Sequence, residues 1–413
     1  MAAAHGSRES DWCLRGARVA VGPGQAEPLD LSIAAGKISG LDQPGASPAA
    51  PAAGVIPLEG CLLLPGLVNA HDHLEFSLFP RLGQGPFPNA RAWAQHVYRP
   101  SESPIREQLQ IPKRDRLIWG GLKNLLGGAT TVCHHNPYEP EVFEQGFPVR
   151  VLSRLGWAHS PDFSDDIPAR FAATPPGAPF ILHLAEATDE AGRRQIFELD
   201  AMRALDHRTV LVHGVALDEK GLALVERRGA ALLWCPSSNL FTLGATLGGA
   251  VFEKSIQMAL ATDSALTGEG DLLDELRLAR NLGRTRASRL YEMVTTEAAA
   301  VLRLEQGEGR LAEGGVADLI AIADSGGSPC EALTGAESSE PLLVMLGGQV
   351  KLVAEEFAGR LDSRWTRRLR RIKAAGRRAC LVDADVPALV TSARRALGSE
   401  AIRLAGKHIE EWG

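Results

Sequence analysis

No stretch of the 413-residue sequence approaches the ~18 consecutive apolar residues that a membrane-crossing helix needs. The N-terminal MAAAHGSRESDW lacks the apolar core of a signal peptide. There is no CxxC pair. The six cysteines, Cys13, Cys61, Cys133, Cys235, Cys330 and Cys380, are scattered without disulfide-like density and read as thiols of a reducing cytoplasm. Charge of one sign is scarce too: 50 acidic against 44 basic residues leave a net charge of −6, too little to imply a nucleic acid or other polyionic partner. The expectation is a cytoplasmic globular protein with neither membrane nor nucleic acid as partner. A hydrophobic share of 45% and a charged share of 23% fit that class and exclude disordered or fibrous chains. At ~100–200 residues per domain the length predicts two or three domains, although α/β barrels run to ~250 residues as one.

What is present falls into distinct textures. WCLRGARVAVG (12–22) and LDLSIAAGKISGLD (29–42) are β-rich pieces broken by glycine and aspartate, and residues 1–60 read as part of a small sheet. The Pro/Ala/Gly-rich stretch 43–54 reads as a loop. CLLLPGLVNAHDH (61–73) then looks like a strand buried on both faces. To about residue 304, short apolar runs alternate with amphipathic segments. The runs are ATTVCHH (129–135), PVRVLSRLGW (148–157), FILHLAE (180–186), TVLVHGVAL (209–217), AALLWCPSSN (230–239) and QMALATDSAL (257–266). Repeated strand–helix units predict parallel strands covered by helices. Seven strands are counted in this way, and the Pro-rich PARFAATPPGAP (168–179) is the remaining candidate for an eighth.

Residues 305–358 return to short strands, GRLAEGGVADLIAIA and PLLVMLGGQVKLV, which can join the N-terminal ones. The tail from 359 to 413 is expected to be helical. In SRWTRRLRRIKAAGRR, Trp365, Leu369 and Ile372 recur at helical spacing with Arg367, Arg368, Arg370 and Arg371 between them. A nucleic-acid patch is the alternative reading of this charge run, but a solvated amphipathic helix is favoured in an acidic chain.

Metal-ligand residue types sit at the C-terminal ends of several buried runs: His71 and His73, then His183, His213 and Asp263. In a parallel barrel those ends converge on one face, so residues nearly 200 positions apart can share a pocket. Alternate residues of an extended strand point the same way, which aims His71 and His73 into one site. Imidazole suits Zn and Fe, and a carboxylate adds a hard anionic ligand. Three histidines, one aspartate and a water make a catalytic rather than a closed structural site. A lone strand-end histidine is more often a satisfied core residue, but five such groups in one ordered series point to a metal.

LPGLVNAHDH (64–73) resembles the PG-(apolar)₂-x-x-His-x-His signature of the amidohydrolase superfamily. HLAEATDE, LVHG, WCPSSN and ATDS follow in that superfamily's order, and look most like the cytosine/guanine/adenosylhomocysteine deaminase and chlorohydrolase group. GRLAEGGVADLIAI resembles that group's C-terminal return into the small β-domain, so the resemblance spans roughly residues 12 to 355. It implies a distorted (β/α)₈ TIM barrel at 61–304 with a β-sandwich built from both terminal regions. It also implies His71, His73, His183 and Asp263 as ligands of one divalent metal, with Zn favoured and Fe or Mn admissible. Glu186 matches the proton-shuttling carboxylate, His213 the histidine that contacts water or substrate, and Asn239 a position that often contacts substrate. Two-metal relatives usually bridge their ions with a carboxylated lysine on the third or fourth strand. No lysine occurs here between Lys123 and Lys220, so one ion is expected.

Some residues depart from that pattern. His134, His135 and Asn136 end the second run and His159 follows the third, and all four are candidate substrate contacts or supports for the ligands. Glu75, Arg81 and the loop from Phe87 to Tyr98 can cap the pocket. Cys133 is expected to be a buried apolar thiol rather than a ligand. The chemistry implied is hydrolysis of a non-peptide C–N bond by metal-activated hydroxide, with Glu186, His213 and Asp263 as catalytic groups. A small amino-substituted heterocycle that loses ammonia is the expected substrate. The alternative is an amide, a cyclic amide or another ring substituent such as halide. A non-catalytic scaffold on the same fold is the third reading. Homo-oligomerisation is possible, though no heptad or other sequence signal specifies it.

Overall fold

The computed structural model describes residues 11–46, 54–163, 166–335, 340–398 and 402–413. Residues 47–53 of the expected loop lie outside them. The N-terminal pieces form β1 (Trp12–Gly22), β2 (Gln25–Ala34), β3 (Lys37–Asp42), β4 (Gly54–Pro57) and β5 (Cys61–Pro65). The run LVNAHD continues directly as β6 (Leu67–Asp72), and seven more parallel strands follow it. These are β7 (Ala129–His134), β8 (Arg150–Val151), β9 (Gly156–Trp157), β10 (Phe180–Leu184), β11 (Thr209–His213), β12 (Ala231–Trp234) and β13 (Met258–Leu260). They pair in sequence order as two sheets, β6–β7–β8 and β9–β10–β11–β12–β13. A parallel bridge between Asp72 and Asp263 brings the first strand beside the end of the last. The arrangement is α/β and TIM-barrel-like.

The eighth strand is not where the sequence placed it. PARFAATPPGAP forms a short helix, Ile167–Ala172, because Pro175, Pro176 and Gly177 cannot sustain a central strand. The run 148–157 instead supplies two strands, β8 and β9, joined by residues 152–155. Four residues are too few for the usual helical crossover.

Helices between the strands start where an aspartate follows a strand-end loop. The side chains of Asp189, Asp218 and Asp271 accept from backbone N–H groups of the first helical turn. The helix Lys113–Leu126 lies against the segment after His73 so closely that a Cβ on Gly120 would sit 2.3 Å from the Leu74 carbonyl oxygen. The strands' inner faces meet in a core of small and branched residues that includes Val68, Ala70, Cys133, Ile181, Val212, Leu233 and Ala261. Cys133 is buried there, and burial pushes its thiol up to about 12, as expected of an inert packing residue.

The terminal regions build one sheet of twelve strands from β1–β5 and β14 (Leu319–Ala323), β15 (Leu343–Leu346), β16 (Gln349–Ala354), β17 (Arg370–Ala374), β18 (Cys380–Val382), β19 (Arg403–Leu404) and β20 (Lys407–Trp412). Both termini do meet, but the pairing is that of a single sheet rather than an evident sandwich. The tail corrects the helical expectation. Among the described residues its one long helix is Val386–Leu397, and β17–β20 supply the rest of its regular structure apart from the end of a 3-10 helix, Glu355–Arg360, and a single turn at Ser363–Thr366. Trp365 and Leu369 pack with Trp12 in the terminal core, whereas Ile372 packs in another. Their shared spacing therefore belongs to two elements. From Arg370 the period is two: Ile372 and Ala374 face inward while Arg371 and Lys373 face out. Arg371 pairs with Glu355 and Glu411, and Lys373 with Glu410 and Glu411, so this part of the charge run is spent on local ion pairs.

Candidate metal centre and active site

The strand ends do converge. His71, His73, His183 and Asp263 each offer one ligand atom, and these atoms all lie within 4.8 Å of one another in a buried cluster. His183 Nε2 stands 3.2 Å from His71 Nε2 and 3.3 Å from His73 Nε2. Asp263 Oδ1 stands 3.3 Å from His71 Nε2 and 3.5 Å from His73 Nε2. The backbone fixes this row: Asp263 N–H donates to the His71 carbonyl at 3.1 Å, and His183 N–H to the His159 carbonyl at 2.9 Å. Asp263 and His213 both take positive φ, +56° and +76°, conformations that non-glycine residues rarely hold. Such strain concentrates at functional sites.

The donor set fits a cation. His183 Nδ1 donates to the His159 carbonyl at 2.7 Å, which leaves a lone pair on Nε2 facing the cluster. Burial, with neighbouring imidazoles adding to it, holds His73 and His183 well below the ordinary histidine value, so both rings are neutral at pH 7. Three imidazole nitrogens and a carboxylate oxygen gathered this tightly in a buried site are the donor set that a divalent cation takes. Asp263 is aimed by hydroxyls: Ser238 Oγ donates to its Oδ2 at 2.5 Å and Thr267 Oγ1 at 3.2 Å. Neither hydroxyl was anticipated from sequence. CPSSN had drawn attention only to its asparagine, and a hydroxyl beside a carboxylate leaves no motif.

A cavity of about 400 Å³ opens onto the cluster. Its lining includes His73, His183, Asp263, Glu186, His213, Glu75, Asn136, His159, Trp93 and Tyr98. Glu186 keeps 13% of its side chain exposed, at the cavity, and desolvation is the main cause that pushes its carboxyl up to about 7, with His213 opposing and Asp263 adding. Its Oε2 is 3.5 Å from His213 Nε2. His213 Nδ1 donates to Asn239 Oδ1 at 2.7 Å, so Nε2 is left as an acceptor. It finds no hydrogen-bond partner among the described residues, and it lies 3.9 Å from Asp263 Oδ2. An acid–base carboxyl, an oriented imidazole and a metal-ligand cluster thus face one space.

The candidate substrate contacts divide. Asn136 and His159 line the cavity. His134, His135 and Asn239 do not: each is buried behind its lining. His135 packs its ring against His71 and His183 and lies 3.0 Å from the Ala158 carbonyl through Nε2. Asn239 holds His213, and His134 Nδ1 accepts from the Leu74 N–H at 3.3 Å. These three are placed to support the site rather than to touch a ligand. Arg81 is turned away, paired with Glu269 and lying over Phe241.

A sequence profile of the amidohydrolase family matches residues 172–351. The 5-methylthioadenosine/S-adenosylhomocysteine deaminase of Syntrophobacter fumaroxidans is 27% identical over 325 residues, which cover 64% of this chain and 72% of that protein. The enzyme of the same name from Pyrococcus furiosus is 25% identical over 340 residues, 66% of this chain and 77% of that one. Among solved structures, a zinc-bound adenosine deaminase from Xanthomonas campestris superposes with a TM-score of 0.66 at 20% identity, over 94% of this chain and 97% of its own. A zinc-complexed atrazine chlorohydrolase from Arthrobacter aurescens gives 0.69 at 17%, over 93% and 99%. At those identities the structures speak for the fold alone. The matched profile and the ordered motifs together make the chain similar to the amidohydrolase family over residues 172–351, and the curated relatives it resembles are named as deaminases.

Proposed function

We propose that the protein is a metal-dependent hydrolase that removes an amino group, as ammonia, from a small heterocycle. The observation that carries this reading is the approach of Glu186 and His213 to the three-histidine, one-aspartate cluster across a single cavity. His71, His73, His183 and Asp263 would hold one divalent ion, zinc by preference, since neutral imidazoles and a carboxylate suit it. Such an ion supplies Lewis acidity, lowering the pKa of a coordinated water toward ~7. Lys123, which borders the lysine-free interval, pairs with Asp72 at 2.9 Å and does not line the cavity, which supports a single ion.

The residues do the rest. His213 Nε2, oriented by Asn239, accepts a hydrogen bond from the attacking water. Glu186, with a carboxyl that titrates near neutrality, takes a proton and returns it to a ring nitrogen or to the leaving amine. Asp263, held by Ser238 and Thr267, keeps its carboxylate toward the cluster. A cavity of about 400 Å³ suits a small ring rather than a polymer. The curated relatives named as deaminases favour ammonia as the leaving group, whereas the chlorohydrolase fold neighbour keeps halide as the second reading. On this proposal the eight parallel strands β6–β13 are the distorted barrel; the expected boundary at residue 61 moves past β5, which pairs with β1 and β14 in the terminal sheet. Strands β1–β5 and β14–β16 form its appended β-domain, and β17–β20 extend that sheet in a cytoplasmic enzyme.

Ammonia and ring absorbance are to be followed together across aminated purines, pyrimidines, pterins and triazines, with lactams, hydantoins and halogenated triazines in parallel. Stoichiometric ammonia from a planar amino-heterocycle is expected. Ring opening or halide release without ammonia would reject deamination and promote the alternative.

A further inference from the structure

Glu75 lies two residues beyond His73, on the three-stranded-sheet side of the cavity, whereas Glu186 and His213 come from the five-stranded sheet. Its residue is 7% exposed, and it lines the cavity. One carboxylate oxygen, Oε1, accepts from Asn136 Nδ2 at 2.7 Å. The other, Oε2, is buried and has no hydrogen-bond partner among the described residues. His134 Nε2 stands behind it at 3.6 Å, too far for a hydrogen bond. Because His134 Nδ1 accepts from the Leu74 N–H, its ring proton is on Nε2, which likewise has no hydrogen-bond partner among the described residues. Arg116, the nearest guanidinium on its helix, spends its N–H groups on the Ile111 and Glu75 carbonyls, not on the carboxylate. Among the described residues no lysine or arginine lines the cavity, while Phe76, Trp93 and Tyr98 do.

A buried carboxylate oxygen left without a donor costs free energy unless something supplies one. The aromatic walls beside it favour planar or cationic groups and offer nothing to an anion. We infer that Glu75, fixed by Asn136, reads a hydrogen-bond donor on the substrate: an N–H of a ring, amino or ammonium group remote from the carbon attacked. The inference rests on the proposed deamination. It adds that the substrate carries at least two nitrogen donors and no phosphate or carboxylate. Glu75 is then a specificity-determining residue, distinct from the ligands and from Glu186.

The test uses matched pairs differing by one distal donor, such as 2,6-diaminopurine against adenine and 2,4-diamino-1,3,5-triazine against 2-amino-1,3,5-triazine. Binding to the whole protein is measured by calorimetry, for wild type and Glu75→Gln, with metal content determined in each. Wild type is expected to favour the donor-bearing member of at least one pair by about 10- to 150-fold, the range of a charge-assisted hydrogen bond. Glu75→Gln should reduce that preference to within about 3-fold, raising KM for the donor-bearing member more than it lowers kcat. The inference is overturned if no pair shows a donor preference in wild type, or if the preference survives in the variant. It is overturned as well if the variant loses metal and weakens both members equally, since Glu75 would then only brace His73 through Asn136. Failure of the deamination reading is separate: it would show as absence of ammonia from every compound, whatever the binding pattern.

Discussion

Two polar clusters meet at the end of β6, and they differ in the groups that compose them: one holds a lysine as counter-charge, the other imidazoles and a carboxylate alone. Asp72, between the two histidines, points to the helix Lys113–Leu126. There it accepts from Lys123 Nζ at 2.9 Å and from Asn124 Nδ2 at 2.7 Å, and Asn69 and Thr262 close the network. All five residues are buried, with donors and acceptors matched. His71 and His73, its immediate neighbours, point to a cluster in which ring nitrogens and a carboxylate crowd at 3.2–3.5 Å. Buried polar groups matched by a charge partner build structure; imidazole nitrogens and a carboxylate gathered round one point make a metal-ligand set. The contrast makes opposite predictions for adjacent residues.

The largest effect is expected from His71→Ala combined with His73→Ala, which removes two of four donors. Metal should fall from about one equivalent to trace, and turnover below detection, with the far-ultraviolet spectrum retained. Glu186→Gln should cut turnover by ~10²–10⁴ while keeping the metal, because the amide retains the shape and cannot carry a proton. Steady-state kinetics with elemental analysis separates this from loss of a ligand.

The other cluster should answer in stability. Lys123→Met leaves Asp72 buried without its counter-charge and is expected to cost about 3–5 kcal/mol in denaturant unfolding. Its metal stoichiometry should not change. Ser238→Ala sharpens the comparison from the metal side: it removes the 2.5 Å bond that aims Asp263, and should weaken metal affinity ~10- to 100-fold with little change in fold stability.

The smallest effect concerns Glu275, which accepts from the Ser237 hydroxyl and from Ser237 N–H. Burial is the main cause that pushes its carboxyl up to about 8. A raised carboxyl favours the folded state below the ordinary value near 4.5, where both states hold the proton. That contribution is lost as pH climbs toward 8, because the unfolded chain ionises first. Glu275→Gln should therefore gain stability relative to wild type between about pH 5 and pH 8, as thermal unfolding across that range will read.

The comparison also explains what could be read from the sequence. His71, His73, His183 and Asp263 were legible because ligand types at strand ends recur in order, and parallel topology brings such ends together. Glu186 and His213 were legible for the same reason. Ser238 and Thr267 were not, since a hydroxyl has no preferred spacing from the carboxylate it orients. Asn239 was noticed but assigned to substrate, when its partner is His213, 26 positions away. His134 and His135 were drawn toward the cavity by their strand-end position, yet each side chain turns behind it. In the fold, β8 and β9 were merged because a ten-residue run with one glycine carries no internal boundary. The tail was misread because Trp365 and Leu369 share a helical spacing with Ile372 without sharing an element.

The central claim is that the histidine–aspartate cluster, and not the Asp72–Lys123 cluster beside it, is the metal site, and metal counting tests it most directly. Metal-depleted wild type, Lys123→Met and the His71→Ala/His73→Ala double variant are to be reloaded with zinc, desalted and measured by elemental analysis. About one equivalent in the first two and less than about 0.1 in the double variant is the predicted result. Stoichiometric zinc in the double variant, or two equivalents in active wild type, would contradict it.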